Sequence, residues 1–327
     1  MVRIESEDHD PFANLAALRA QLALVARAGA VQLDYDCPDR LLPNYAVALG
    51  VLRADFPQLS ITALAHWPRL KDFHVLARNV SEMCPMFYDL QADPRGISAT
   101  NPPPPLLDSV QIGTTLSDWS ACPVRWRAGL PAFTRLTRFD SHGISRGQIP
   151  DWQWADVVFH THLRAIAPTR MGVTLLRADT DTRVAGRSLY EGDILAVRMP
   201  DRTALAKSLA AAERSGAAGV VLFRLPGRAD SAAQSLAALN DLAATPKPTL
   251  QREGDTFILT NESAAVLAPR LTGDRHDRDR GYALELDAPA PVFREAEPGM
   301  FWRVTAHVDP DAAPRASTVQ AATRLTF

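Results

Sequence analysis

The decapeptide Gly29-Ala30-Val31-Gln32-Leu33-Asp34-Tyr35-Asp36-Cys37-Pro38 places the tightest limits on what this chain can become. Helical runs flank it on both sides, so it reads as one strand of an alternating strand–helix series. Side chains along a strand point alternately to opposite faces, which puts Asp34 and Asp36 on one face and Leu33 and Tyr35 on the other. Pro38 cannot donate a ladder hydrogen bond and is expected to end the strand. Two acids therefore stand at the carboxyl end of a buried parallel strand, the edge where α/β barrels and open α/β sheets place their sites.

The preceding helix is expected over Phe12 to Ala28, from Leu15, Leu18, Leu22 and Val25 at helical spacing, with Asp10-Pro11 starting it and Gly29 ending it. Leu41 to Phe56 follows as a second helix, and Leu59-Ser60-Ile61-Thr62-Ala63-Leu64-Ala65 as the next strand, running out into His66-Trp67-Pro68. A helix over Leu70 to Ser81 then leads to the strand Met86-Phe87-Tyr88-Asp89-Leu90, and Val2 to Ser6 is a short strand before them all. This order is that of a parallel sheet with right-handed crossovers. Further strands are expected at Ser109 to Leu116, Phe133 to Phe139, Gly172 to Arg177, Ile194 to Met199 and Gly219 to Leu225. Helices are expected at Trp152 to Ile166, Arg202 to Ser215 and Ala232 to Ala243. Beyond Pro246-Lys247-Pro248 the helical period disappears and short alternating runs take over. The pattern predicts an α/β fold class, a parallel sheet of strand–helix units over residues 1–245, with an all-β, sandwich-like module over 249–327.

A formal net charge of −2 argues against a nucleic-acid partner, which calls for a basic face. Three cysteines, Cys37, Cys84 and Cys122, have no C-x-x-C spacing and support neither a disulfide framework nor a zinc site. His160-Thr161-His162 lacks a third ligand nearby, and no metal or other cofactor is expected. No apolar run approaches the roughly 20 residues of a membrane span, and the amino terminus lacks the basic start and apolar core of a signal peptide. At face value the chain is soluble and unexported; the oligomeric state is open.

Val31 to Pro38, Leu59 to Leu64, Pro85-Met86-Phe87-Tyr88 and Gly219 to Pro226 together resemble successive blocks of an uncharacterised family, catalogued as domain of unknown function 3142. The resemblance implies a (β/α)8, TIM-like barrel over residues 1–245, complete or missing its first strands, distantly similar to glycoside hydrolases, with a β-rich tail. It also implies that a leader and further strands precede Val2, so the chain is expected to start near the third strand, and an upstream leader would make the protein an exported one. The Asp34/Asp36 block is similar, too, to the catalytic strand of family 18 chitinases. Their strand carries a catalytic Glu where this chain has Pro38, so that mechanism does not transfer.

Candidate site residues follow. Acids two apart on one strand have α-carbons separated by roughly 6.6 Å, and their carboxyl groups fall near the spacings used by glycosidases. Asp34 and Asp36 either serve a site or line the barrel through neighbouring hydrogen bonds. Asp89 and Asp118 follow strand candidates and are either opposing acids or ordinary loop residues. His66 and Trp67 form a sugar platform or cover the rim. Arg224, read inside an apolar strand, needs a partner, with Asp34 or Asp36 the obvious one. The ligand expected is a carbohydrate. Two functions stay open: a glycoside-hydrolase-like enzyme, or a non-catalytic carbohydrate-binding or scaffold protein on a degenerate barrel.

Overall fold

A computed structural model of the chain describes residues 1–4, 14–26, 30–152, 162–167 and 171–224, with isolated positions between and strand segments from 248 to 322. The described chain separates into two compact units. The first comprises Met1–Leu90, Leu107–Pro131 and Ala204–Phe223; the second comprises Gln91–Leu106, Ala132–Thr203 and Arg224–Phe327.

The first unit is built on parallel strands. β1 (Val2–Arg3), β2 (Ala30–Asp34), β3 (Gln58–Leu64), β4 (Glu82–Met86), β6 (Ala128–Pro131) and β14 (Val220–Phe223) lie side by side in that order, and β5 (Arg125–Trp126) pairs with β4 as well. The β2–β3 ladder, which decides whether this is a barrel-type sheet, is parallel, with Leu33 opposite Ile61. Thr62 then falls opposite Cys84, and Met86 opposite Gly129. Helices fill the connections: α1 (Leu15–Val25), α2 (Leu42–Asp55), α3 (Phe73–Ala77) and α4 (Ser109–Asp118). α1 starts at Asn14, whose side chain accepts the Ala17 N–H at 3.2 Å, four residues later than the expected Asp10 cap.

The two faces of this sheet differ in chemistry. Leu33, Tyr35, Ile61, Ala63, Met83, Phe87 and Trp126 are buried, and aromatic rings from the connecting segments meet them. Tyr35 makes edge contacts with Phe12 at 5.6 Å and with Tyr45 of α2 at 5.4 Å. Trp119 lies 6.3 Å from Phe87 and 5.2 Å from Phe73 of α3. The opposite face carries Gln32, Asp34, Ser60, Thr62, Glu82 and Cys84. Helices packed on one face with polar side chains on the other belong to a singly wound sheet, the construction of a (β/α)8 barrel. The fold class is therefore α/β of the TIM-barrel kind, with β modules added. On β6, Gly129 sits where an added Cβ would come 3.0 Å from the Pro85 carbonyl and 3.5 Å from Cys84 Sγ.

Four local expectations are corrected. Ser109–Asp118 is a helix and not a strand: Asp108 caps it by accepting the Val110 and Gln111 N–H groups, and Ile112, Thr115 and Leu116 form its buried stripe. The strand expected at Met86 to Leu90 lies earlier, at Glu82–Met86, with Pro85 opposite Ala63 of β3. The strands at Phe133 to Phe139, Gly172 to Arg177 and Ile194 to Met199 belong to an antiparallel sheet of the second unit, ordered β8-β7-β13-β10-β9. Its members are β7 (Arg135–Phe139), β8 (Ser145–Gln148), β9 (Leu163–Ala165), β10 (Val173–Ala178) and β13 (Ile194–Arg198). The link from β10 to β13 holds only a small hairpin, β11 (Thr182–Val184) with β12 (Arg187–Leu189), which is too short for a parallel crossover. Finally, Leu163–Ala165 is a strand where a helix over Trp152 to Ile166 was expected.

Ile97, Phe139, Val173, Leu175, Ile194 and Ala196 form the core of that sheet. Arg198 is fully buried beside it, donating to Asp93 at 2.9 Å and to Thr137 Oγ1 at 3.0 Å. α5 (Arg202–Arg214) leads on to β14. Most of the helix expected at Ala232 to Ala243 lies outside the described residues. From 248 onward the described elements are strands. β15 (Pro248–Glu253), β16 (Thr256–Asn261), β19 (Phe301–Thr305) and β20 (Thr318–Ala322) form one sheet in that order, with β16 and β19 parallel. β17 (Arg270–Thr272) and β18 (Ala283–Glu285) make a separate antiparallel pair.

Candidate functional site

Asp34 and Asp36 stand at the carboxyl end of β2, and Asp89 follows the carboxyl end of β4. Along β2 the odd-numbered residues Val31, Leu33, Tyr35 and Cys37 are buried and the even-numbered ones are not, so Asp34 and Asp36 share the polar face. Thr62, on the adjacent strand, donates its hydroxyl to Asp34 Oδ1 at 2.8 Å and accepts the Tyr35 N–H at 3.3 Å. One hydroxyl thus orients the first carboxylate and holds the backbone between the two acids.

Asp36 is more open to solvent than Asp34. Partial desolvation of its carboxyl, then the Asp34 charge, push its pKa above the ordinary aspartate value, and Arg3 on β1 pulls it partly back. Tyr88 follows β4 and stacks on Phe223 of β14, with centroids 6.3 Å apart and planes at 11°. Burial raises the Tyr88 phenol well above its usual range, and the charges of Asp34, Asp36, Cys84 and Asp89 add to the rise. The phenol therefore keeps its proton. Asp89 presents itself from a left-handed backbone, φ 54°, a conformation aspartate tolerates better than most residues. Cys84 faces the same group, but burial and then Glu82 raise its thiol to about 12, so it is not a thiolate nucleophile.

The remaining candidates fall elsewhere. Asp118 ends α4 and pairs with Arg69 at 2.8 Å, so it is a surface ion-pair residue, not a strand-end acid. Trp67 is fully buried, 6.4 Å from Tyr45 in an edge contact, and exposes no face on which a sugar could stack. His66 is exposed beside it and bonds Asp39 Oδ1 through Nε2 at 2.8 Å. Arg224 lies just past β14, exposed, with its guanidinium 5.8 Å from the Phe133 ring, so it is not inside the strand.

Among the described residues no group of three or more His, Cys, Asp or Glu is arranged to hold a metal ion. No helix among them is long and apolar enough to cross a membrane. No protein-family model matches the chain, and no curated protein sequence matches it significantly.

Among solved structures, the chain is similar to a plant class V chitinase from Cycas revoluta solved with (GlcNAc)3. The identity is 12%, 68% of this chain and 74% of that one are covered, and the TM-score is 0.42. It is also similar to a chitinase from Rhizomucor miehei, at 15% identity, covering 71% and 78%, with a TM-score of 0.39. A third is a glycoside hydrolase family 18 N-acetylglucosaminidase from Paenibacillus barengoltzii, at 12% identity, covering 64% and 69%, with a TM-score of 0.38. The strand order and the two-faced sheet, not these likenesses, decide the fold class given above.

Sequence reading missed Thr62, Tyr88, Arg3 and Asp39. Thr62 and Tyr88 left a signal: each is a polar residue at an even step from its strand's neighbours, facing the same side as Asp34. Arg3 and Asp39 became visible only through the pairing of β1 with β2 and the turn after β2.

Proposed function

We propose that this chain is a glycoside-hydrolase-like protein that binds a carbohydrate at the carboxyl ends of β2, β3 and β4 and cleaves it there. One observation carries the reading: Asp34 and Asp36 share the polar face at the end of β2, with Asp34 oriented by the Thr62 hydroxyl at 2.8 Å and the Asp36 carboxyl raised above an ordinary aspartate by burial and then by the Asp34 charge. A carboxyl that retains its proton beside a carboxylate is the acid–base arrangement of glycoside cleavage. Asp36 protonates the leaving oxygen, Asp34 faces the developing positive charge at the sugar, and Tyr88 donates to a sugar oxygen. Phe223, stacked on Tyr88, supplies apolar support beneath the ligand.

A panel of 4-nitrophenyl glycosides, assayed with the wild type and with D36N, tests this. Turnover of at least one glycoside, lost in D36N, supports it; a wild type that neither turns over nor binds any member removes it. Pro38 favours a second reading, since the position after the acid pair where similar strands carry a catalytic Glu has no side-chain acid. On that reading the same groups bind sugar without cleaving it, and calorimetry would show binding with no nitrophenol released.

A further inference from the structure

Among the described residues every tryptophan, phenylalanine and tyrosine is buried or half-buried except Tyr190, which is 59% exposed. It stands in the second unit, at the end of the antiparallel sheet where β7 stops and β13 begins, with Phe139 opposite Ile194. Two turns adjoin there, one over 140–144 and one over 190–193. Gly192, at φ 85°, lets them meet, since an added Cβ would come 3.1 Å from the Ser141 Cβ.

Exposed side chains ordinarily hop between rotamers within nanoseconds. Here a buried carboxylate holds the residue. Asp193 is 2% exposed, and its Oδ2 accepts the Tyr190 N–H at 3.0 Å and the Arg138 Nε–H at 2.9 Å, with Arg138 Nη2 2.7 Å away. The Asp193 N–H returns to the Tyr190 carbonyl at 3.0 Å. Arg138, fixed in this way, lays its guanidinium over the Tyr190 ring, 5.4 Å from the centroid. The cation takes one face of the ring, and the exposure of the residue puts the other in solvent. The neighbouring turn is held as well, because Asp140 Oδ1 accepts the His142 and Ile144 N–H groups, each at 2.9 Å. Ser141, His142 and Glu191 are the exposed polar residues of the two turns.

A flat aromatic face kept in one orientation, with hydroxyl, imidazole and carboxylate groups on the turns around it, suits a pyranose ring. Such a sugar turns its axial C–H bonds to the electron-rich plane and its equatorial hydroxyls outward to polar neighbours. The ring is ordered before the ligand arrives, so binding loses little further freedom. We infer that Tyr190 is the stacking platform of a second carbohydrate site, on the second unit, which takes a pyranose unit of a polysaccharide. It uses none of the residues of the acid site. This rests on the carbohydrate reading above and extends its ligand to a polymer.

The test measures retention of the full chain on insoluble cellulose, chitin, xylan and mannan, for wild type, Y190A and Y190F. Nitrophenol release by wild type and D36N from the glycoside panel, measured beside it, reports on the acids separately. The wild type should be retained by at least one polysaccharide. Y190A should bind that polymer about tenfold more weakly, the worth of one stacked aromatic face, at an unchanged melting temperature because the ring is exposed. Y190F keeps the ring and should bind as the wild type does. Equal retention of wild type and Y190A, or a wild type retained by none of the four, overturns the platform; nitrophenol release that is lost in D36N then leaves the cleaving reading standing. Retention that falls in Y190A, with no nitrophenol released by the wild type, upholds the platform and removes cleavage.

Discussion

Asp36 and Thr62 make opposite demands on stability, and substitution separates them. The folded pKa of Asp36 lies above its ordinary value, so the unfolded chain releases that proton first as pH rises. The group's cost to folding therefore builds between the unfolded and folded pKa values and is whole above them. Asp36→Asn removes that cost, and the variant should melt at the wild-type temperature or slightly above it at pH 7 while losing activity. Thr62→Val strands the buried Tyr35 N–H and frees the Asp34 carboxylate, and should cost about 1–3 kcal/mol in chemical denaturation. Trp67→Ala empties a fully buried site and should cost about 3–5 kcal/mol, with the KM of the remaining folded protein unchanged. A weakened KM with full stability would restore Trp67 to the ligand face.

Among the elements, those whose pattern has one period were legible in the sequence. Val31 to Asp36 and Leu59 to Leu64 alternate cleanly and form the parallel pair expected of them. Ser109–Asp118 was misread because Val110, Ile112 and Leu116 alternate as in a strand, while Asp108, whose side chain caps the first turn, was the signal that should have won. The antiparallel sheet was hidden because pairing direction depends on what fits between strands, and the link from β10 to β13 fits only a hairpin.

That hairpin carries a pH-dependent tie. His160 Nδ1 accepts the His162 N–H at 3.2 Å, and Nε2 lies 3.0 Å from the Arg183 carbonyl and 3.4 Å from Thr182 Oγ1. Only the neutral ring with its proton on Nε2 satisfies both bonds. Burial first, and the neighbouring His162 next among the lowering influences, put its pKa below the ordinary 6.5; the Arg183 carbonyl, Asp156 and Asp179 act the other way. The unfolded chain therefore takes up this proton first as pH falls. The contribution of His160 is whole above about pH 6.5 and is lost on acidification through the window beneath it. Amide exchange of residues 182–189 should accelerate across that window in the wild type, and the acceleration should be absent in His160→Gln. Equal pH dependence in both proteins would show that the ring is not the tie.

For the molecule as a whole, the division of labour is set by the two faces of the parallel sheet. Leu33, Tyr35, Ile61 and Phe87 bury one side beneath helices and fix the strand ends, and that side was readable from apolar spacing. Asp34, Thr62, Cys84 and Tyr88 come from three strand segments, and only ladder register brings them together, so the acid pair was legible in the sequence and its surroundings were not. The central claim, that this polar face acts on a carbohydrate through Asp36, is tested most directly by one comparison. Wild type and D36N are assayed for nitrophenol release across the glycoside panel at pH 5 to 8, with melting temperatures measured alongside. The expected result is release by the wild type from at least one glycoside, abolished in D36N at an equal or higher melting temperature. Equal release by both proteins, or a D36N that loses activity only because it has unfolded, would contradict it.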